Sequence, residues 1–208
     1  MSTNFRSKVI GISLKDRGAI LPAGHSANAA YWYDKGKFIS STYYMNALPK
    51  WVNDFNAKEY PAKTMNGVWN TLLPIEKYSM STADAKDHEG TMSGISTNTF
   101  PYRFDTVAAS KKTETFRYTP FGATYTLDFG KAAIEHEKMG AGAFSDFLCI
   151  SVSSTDYAGH SFGPNSIELQ DIYLRLDKDL ERFLLYLNAK LSKRNYLFFL
   201  SADHGAAH

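Results

Sequence analysis

Three short apolar runs stand out along a chain that otherwise mixes polar and apolar residues. Lys8 to Leu14 reads Lys-Val-Ile-Gly-Ile-Ser-Leu, Asp146 to Val152 reads Asp-Phe-Leu-Cys-Ile-Ser-Val, and Asn195 to Leu200 reads Asn-Tyr-Leu-Phe-Phe-Leu. Each is β-branched or aromatic and nearly continuous rather than alternating, which predicts strands covered on both faces, as in a parallel sheet. Between the second and third runs, Ile167, Ile172, Leu176, Leu180, Phe183, Leu184, Leu187 and Leu191 recur with helical period. Asp171, Arg175, Lys178, Glu181 and Arg182 fall mostly on the other side of that helix. Pro164-Asn165-Ser166 supplies its start, and Glu168 is placed for a capping box with Asn165 or a neighbour. Strand, long helix, strand is a right-handed crossover, so its two strands are predicted parallel and near neighbours. A second helical pattern runs from about Phe121 to Met139 and stops at Gly140, and a shorter one spans Leu48 to Ala57.

The stretch from Tyr60 to Thr115 differs. It is rich in Ser, Thr, Asn and Gly, with Pro61, Pro74 and Pro101 as breakers, and reads as an irregular cap or insertion. The predicted class is therefore α/β: a mainly parallel sheet flanked by helices, with a cap at about 60–115 in a single domain. Its 208 residues suffice for one such core and are too few for two. The aromatic share of 14%, mostly Tyr and Phe, is assigned to that core rather than to a wide cleft. A formal net charge of +2 gives no electrostatic case for a nucleic-acid partner. No run approaches the roughly 18 apolar residues that cross a bilayer, so no membrane partner is expected. Met1-Ser2-Thr3-Asn4 leads straight into a strand-like segment, so no signal peptide is expected either. Cys149 is the only cysteine; it excludes an internal disulfide and reads as a buried small hydrophobe.

Ligands of open parallel sheets bind at the carboxyl ends of the strands. All three runs are followed there by ionisable residues: Lys15-Asp16-Arg17 after the first, Ser153-Ser154-Thr155-Asp156-Tyr157-Ala158-Gly159-His160 after the second, Ser201-Ala202-Asp203-His204-Gly205 after the third. Asp156 and His160, four apart, face the same way on a helix and can share a cation. Asp203 and His204 adjoin at a strand end, where a turn can aim both at a site. Imidazole with carboxylate suits Zn²⁺, and Mn²⁺ or Fe less specifically. Two such clusters suggest two metals, which in phosphoryl transfer sit ~4 Å apart. A lone Asp-x-x-x-His is weak evidence, since either residue can cap a helix or sit solvated; convergence of three loops on one sheet edge is what favours a metal site. His25, His88 and His136 are read as structural or solvated, Trp32, Trp51 and Trp69 as packing, and Gly18, Gly24 and Gly36 as turn glycines.

The segments Ser-Thr-Asp-Tyr-Ala-Gly-His-Ser-Phe-Gly-Pro-Asn-Ser and Ser-Ala-Asp-His-Gly-Ala-Ala-His resemble those of the alkaline phosphatase superfamily. More narrowly, they resemble its nucleotide pyrophosphatase/phosphodiesterase-like branch, which includes single-threonine bacterial alkaline phosphatases. The opening Ser-Lys-Val-Ile-Gly-Ile-Ser-Leu-Lys-Asp-Arg-Gly-Ala-Ile-Leu-Pro-Ala-Gly-His is similar to the phosphate-irrepressible members. The resemblance implies a phosphoric-ester hydrolase with two Zn²⁺ in the complete site: Asp156 and His160 as ligands of one zinc, Asp203 and His204 as ligands of the other. Lys15 and Arg17 are implied as the catalytic, substrate-binding cations on the phosphoryl group, Arg with the better geometric match to two oxygens. It implies further a threonine nucleophile with a phospho-threonine intermediate, a small-molecule phosphate ester as substrate, and a periplasmic or secreted location.

The family pattern places an Asp ligand and the nucleophilic Thr upstream of the Lys-x-Arg segment, and a further His ligand downstream of Asp-His-Gly. No Thr here stands in the nucleophile's motif; Thr155 adjoins a ligand without matching it, and His208 follows Asp203-His204 too closely. The resemblance thus implies a partial catalytic domain, incomplete at both ends, that needs the remainder of the domain as its partner and is inactive alone. Three alternatives stand beside the phosphomonoesterase: a type I phosphodiesterase or nucleotide pyrophosphatase, a non-catalytic α/β module, and another branch of the superfamily such as a sulfatase or a metal-dependent mutase. The absence of a Cys-x-Pro-x-Arg segment in this chain speaks against a sulfatase.

Overall fold

In a computed structural model of the chain, residues 6–202 and 204–205 are described. The first apolar run is strand β1 (Val9–Ser13), followed by helix α1 (Asp16–Ala23) and strand β2 (Ala29–Asp34). β2 turns back into β3 (Lys37–Ile39) through Lys35 and Gly36, both at positive φ (44° and 90°), the two-residue turn whose twist matches that of a hairpin. The second apolar run is β6 (Phe147–Ser151). The sheet order is β3-β2-β1-β6, with β1 parallel to both β2 and β6 and only the β3 hairpin antiparallel.

β1 alternates by face. Ile10, Ile12 and Leu14 point to one side, against helix α5 (Pro120–His136), while Gly11 and Ser13 point to α1. Gly11 is required there: a Cβ would stand 1.9 Å from the Ala19 carbonyl oxygen, so α1 rides directly on the strand's backbone. On the α5 side, Tyr31, Tyr33, Phe38, Trp51, Phe55, Tyr125 and Phe129 form a continuous aromatic core, with Phe38 and Phe129 stacked at 4.0 Å. Helix α2 (Lys50–Asn56) closes that core, and the long helix α7 (Ile167–Leu191) packs against α5. Trp51 and Trp69 are buried, as packing residues should be.

Segment 60–115 holds helices α3 (Tyr60–Thr64) and α4 (Ala109–Thr115) and a two-stranded antiparallel ribbon, β4 (Val68–Trp69) with β5 (Tyr102–Arg103). Buried carboxylates of α7 tie it down. Asp171 accepts from Trp69 Nε1 (2.7 Å), Tyr78 OH (2.5 Å), the Leu72 amide (2.6 Å) and Arg175 Nε (2.7 Å). Glu168 accepts from Tyr102 OH at 2.5 Å.

Several expectations fail, for physical reasons. The third apolar run forms no strand among the described residues; Leu197, Phe199 and Leu200 are exposed, and the segment lies beside β6 with Phe199 6.3 Å from the Phe147 ring. β6 has an open edge beside it, but this run forms no ladder with that edge among the described residues, so the predicted crossover from β6 through α7 to a parallel neighbour is not formed. Asp171 is buried rather than on the polar side of α7. The N-cap of α7 is Ser166, whose hydroxyl accepts from the Leu169 amide at 3.2 Å; Glu168 turns inward instead of capping. Gly18 lies inside α1 and not in a turn, where a Cβ would stand 2.6 Å from Ser13 Oγ. Cys149 is only half-buried, facing α1 near the Pro22 carbonyl. His136, though exposed, stacks on Trp51 at 5.7 Å.

Candidate active site

The carboxyl ends of β1 and β6 lie side by side because Ser13 and Ser151 are in register. The Ser13 hydroxyl reaches Ser153 Oγ at 2.9 Å and also accepts from the Lys15 amide at 3.1 Å. This small polar brace holds together the two loops that carry charge. Lys15 sits in extended conformation at the N-cap of α1, so its side chain leaves the helix instead of following it. Beyond β6 the chain enters helix α6 (Ser154–Phe162), which carries Asp156 in its first turn and His160 one turn on.

Asp156 is the centre of the cluster. Its carboxylate pairs with the Lys15 ammonium, and its Oδ1 lies 3.3 Å from His160 Nε2 and 3.6 Å from His204 Nε2. Partial burial pushes this carboxyl up, but the hydrogen bond and charge of Lys15, with His160 and His204 beside it, outweigh that and hold it below its ordinary value. Lys15, Asp156, His160 and His204, from three separate segments, are therefore brought together. Arg17 is exposed in the first turn of α1, its amide on Asp16 Oδ1 at 2.7 Å, and its guanidinium has no ion pair among the described residues. Asp203 lies outside the described residues.

Two side chains that touch this cluster were not read as site residues from the sequence. Tyr157 sets its ring face 4.6 Å from Lys15 Nζ, and Arg117 donates to the Tyr157 hydroxyl at 3.3 Å. Adjacency to Asp156 was the single available hint for Tyr157. Arg117 comes from a 3₁₀ turn, Phe116–Tyr118, that no motif marks.

The donor chemistry suits a metal such as zinc, which takes imidazole nitrogen and carboxylate oxygen. The described residues supply that chemistry in pairs around Asp156; among them no three His, Cys, Asp or Glu side chains are arranged to hold an ion.

Comparison with known proteins gives a consistent result. The chain is 60% identical over 210 residues to alkaline phosphatase PhoV of Synechococcus elongatus. It is 54% identical over 210 residues to alkaline phosphatase PafA of Elizabethkingia meningoseptica. A Myroides odoratus protein named a calcium-transporting ATPase is 53% identical over 212 residues. The whole chain is covered in each case, but it spans only 38%, 38% and 39% of those proteins' lengths. The crystal structure of wild-type PafA superposes with a TM-score of 0.94 at 55% identity, covering 99% of this chain and 40% of that one. The fold is thus that of part of the PafA structure. The sequence model for type I phosphodiesterase / nucleotide pyrophosphatase matches residues 7–208, and the chain belongs to that family.

Proposed function

We propose that this chain supplies part of the active site of a metal-dependent phosphomonoesterase of the alkaline phosphatase type. The observation that carries the reading is the Asp156 carboxylate, met at the sheet's carboxyl edge by Lys15, His160 and His204. Similarity to PhoV and PafA, both named alkaline phosphatases, supports it. In this reading Asp156 and His160 hold one zinc, and Asp203 and His204 contribute to a second. Bound zinc supplies concentrated positive charge that polarises a phosphoryl oxygen.

The chain's own residues do the rest. Lys15 and Arg17 neutralise the non-bridging oxygens as charge builds in the transition state. Arg17, exposed at the start of α1, has its fork of donors available for two oxygens at once. Lys15 contributes a compact point charge. Two cations suit a dianionic monoester better than a singly charged diester, which favours monoesterase over the phosphodiesterase activity in the family's description. A threonine as phosphoryl acceptor, a small phosphate ester as substrate and a periplasmic or secreted site of action complete the reading on the strength of the resemblance.

The test uses the full-length protein that carries this chain. Arg17→Ala should lower hydrolysis of a chromogenic phosphomonoester much more than that of the corresponding diester; equal losses would reject the role. The 208-residue chain by itself should turn over neither ester with added zinc. Turnover above background would show that the phosphoryl acceptor lies within it.

A further inference from the structure

The Lys15 ammonium has a second contact besides Asp156. It sits 4.6 Å from the centroid of the Tyr157 ring, and the Lys15 side chain is only 17% exposed. The ring is itself fixed. The Tyr118 ring lies 5.2 Å away at an interplanar angle of 56°. The hydroxyl accepts from Arg117 Nη1 at 3.3 Å, and Arg117 Nη2 in turn donates to the Tyr33 carbonyl of β2 at 3.4 Å. Arg117 also lies over the Tyr33 ring at 5.4 Å, within 3.8 Å of Glu114, and keeps its Nε buried without a partner. A cation held there at a desolvation cost fastens one residue, Tyr157, to the central sheet.

We propose that Tyr157, anchored by Arg117, is the positioning residue that sets where the Lys15 ammonium meets a phosphoryl group. The proposal rests on the reading of Lys15 as a phosphoryl contact. Lysine is a flexible four-carbon stem with three rotatable donors, so its charge goes wherever a partner holds it. Asp156 alone would hold it by taking up an N–H donor. A ring face attracts the ammonium through its quadrupole without taking up a specific donor, and so leaves donors for phosphoryl oxygens. Where Asp156 acts as a metal ligand, the ring remains as the contact that keeps Lys15 on station.

Inorganic phosphate, as a competitive inhibitor of the full-length metal-loaded protein, is the probe. Lys15→Ala should weaken phosphate inhibition tenfold or more, on the order expected for a lost charged contact. Tyr157→Leu should weaken it about threefold to tenfold, and Tyr157→Phe, which keeps the ring but loses the hydroxyl that Arg117 holds, about twofold to threefold, like the loss of Arg117 itself. Lys15→Ala combined with Tyr157→Leu should be no weaker than Lys15→Ala alone, because the ring acts only through the lysine. Should Tyr157→Leu fail to fold, Arg117→Gln, which loosens the ring without removing it, should weaken inhibition about twofold to threefold. Unchanged inhibition in Tyr157→Leu (or, failing its folding, in Arg117→Gln), with Lys15→Ala impaired, overturns the positioning role alone. Additive losses in the double variant overturn it too, as would equal losses in Tyr157→Leu and Tyr157→Phe. Unchanged inhibition in Lys15→Ala instead overturns the phosphoryl-contact reading beneath it.

Discussion

Two carboxylate centres of this molecule have opposite surroundings. At the sheet's carboxyl edge, Asp156 is partly open to water and meets Lys15 and two imidazoles, and its carboxyl is held below the ordinary range. Beneath segment 60–115, Glu168 is fully buried, meets a single hydroxyl from Tyr102 and leaves Oε2 without a partner. Burial pushes its carboxyl up to about 7 despite that hydrogen bond, with Glu89 and Asp84 adding their own negative charge. One turn further along the same helix, Asp171 is as deeply buried but receives three uncharged donors and Arg175. Burial alone therefore does not decide a carboxylate's character; the cations and donors that come with it do. The accessible, cation-rich centre is the one our proposal assigns to chemistry, whereas the buried pair ties segment 60–115 to α7.

If the clamp is structural, removing its best-satisfied member should have the largest effect. Asp171→Ala strands the Trp69, Tyr78 and Leu72 donors and the Arg175 charge, and should cost about 3–5 kcal/mol in denaturant-induced unfolding. A loss below about 1 kcal/mol would dissolve the distinction between the two centres.

Glu168 gives the next effect, and its sign follows from linkage. Its folded pKa of about 7 lies above the ordinary 4.5, so between those values the folded chain binds more protons than the unfolded. Stability conferred by the protonated form is complete below pH 4.5, falls as pH rises and levels off above about 7. Glu168→Gln should remove this slope, a difference on the order of 3 kcal/mol across the window by pH-dependent unfolding. Asp156 runs the other way: its contribution is present above its ordinary 3.8 and fades as pH falls below it. An Asp156→Asn protein with the same acid limb as the unmodified chain would contradict that assignment.

Smaller still is the stability effect at the open centre. Asp156→Ala should change the unfolding free energy by under about 1 kcal/mol, yet, on the proposed metal reading, weaken zinc binding by the full-length protein at least about tenfold by calorimetry. A large stability loss with zinc binding intact would make Asp156 a second clamp. The exposed Lys50–Asp54 pair sets the floor: Lys50→Ala should cost no more than about 0.5 kcal/mol.

Much of the scaffold was legible along the chain. Continuous apolar runs marked β1 and β6 as strands, and both are parallel members of the sheet; β1 is covered on both faces as expected, whereas β6, last in the described sheet, is only partly buried. The apolar stripe of α7 emerged within a residue of its expected ends, because helical period is a local signal. The charged loops at the ends of β1 and β6 were legible too, since strand direction alone decides which edge they share. Other features depended on partners remote in sequence. Asp171 and Glu168 look like surface and capping residues until Trp69 and Tyr102 arrive from about a hundred and about seventy residues away. Tyr157 lies within the segment that carries the resemblance, but nothing in that segment points to its contact with Arg117, forty residues upstream.

What the sequence determined by itself is the set of local preferences: which runs extend, which stretch coils into α7, and which loops carry carboxylate, imidazole and ammonium to one edge. These follow from side-chain period and chemistry over a few neighbours. Only the tertiary structure decided that residues 196–200 stay unpaired beside β6, that Glu168 turns inward without a cation, and that Tyr157 lies beneath Lys15. Strand pairing, desolvation and ring contacts each require a second surface, and local pattern does not specify which surface arrives.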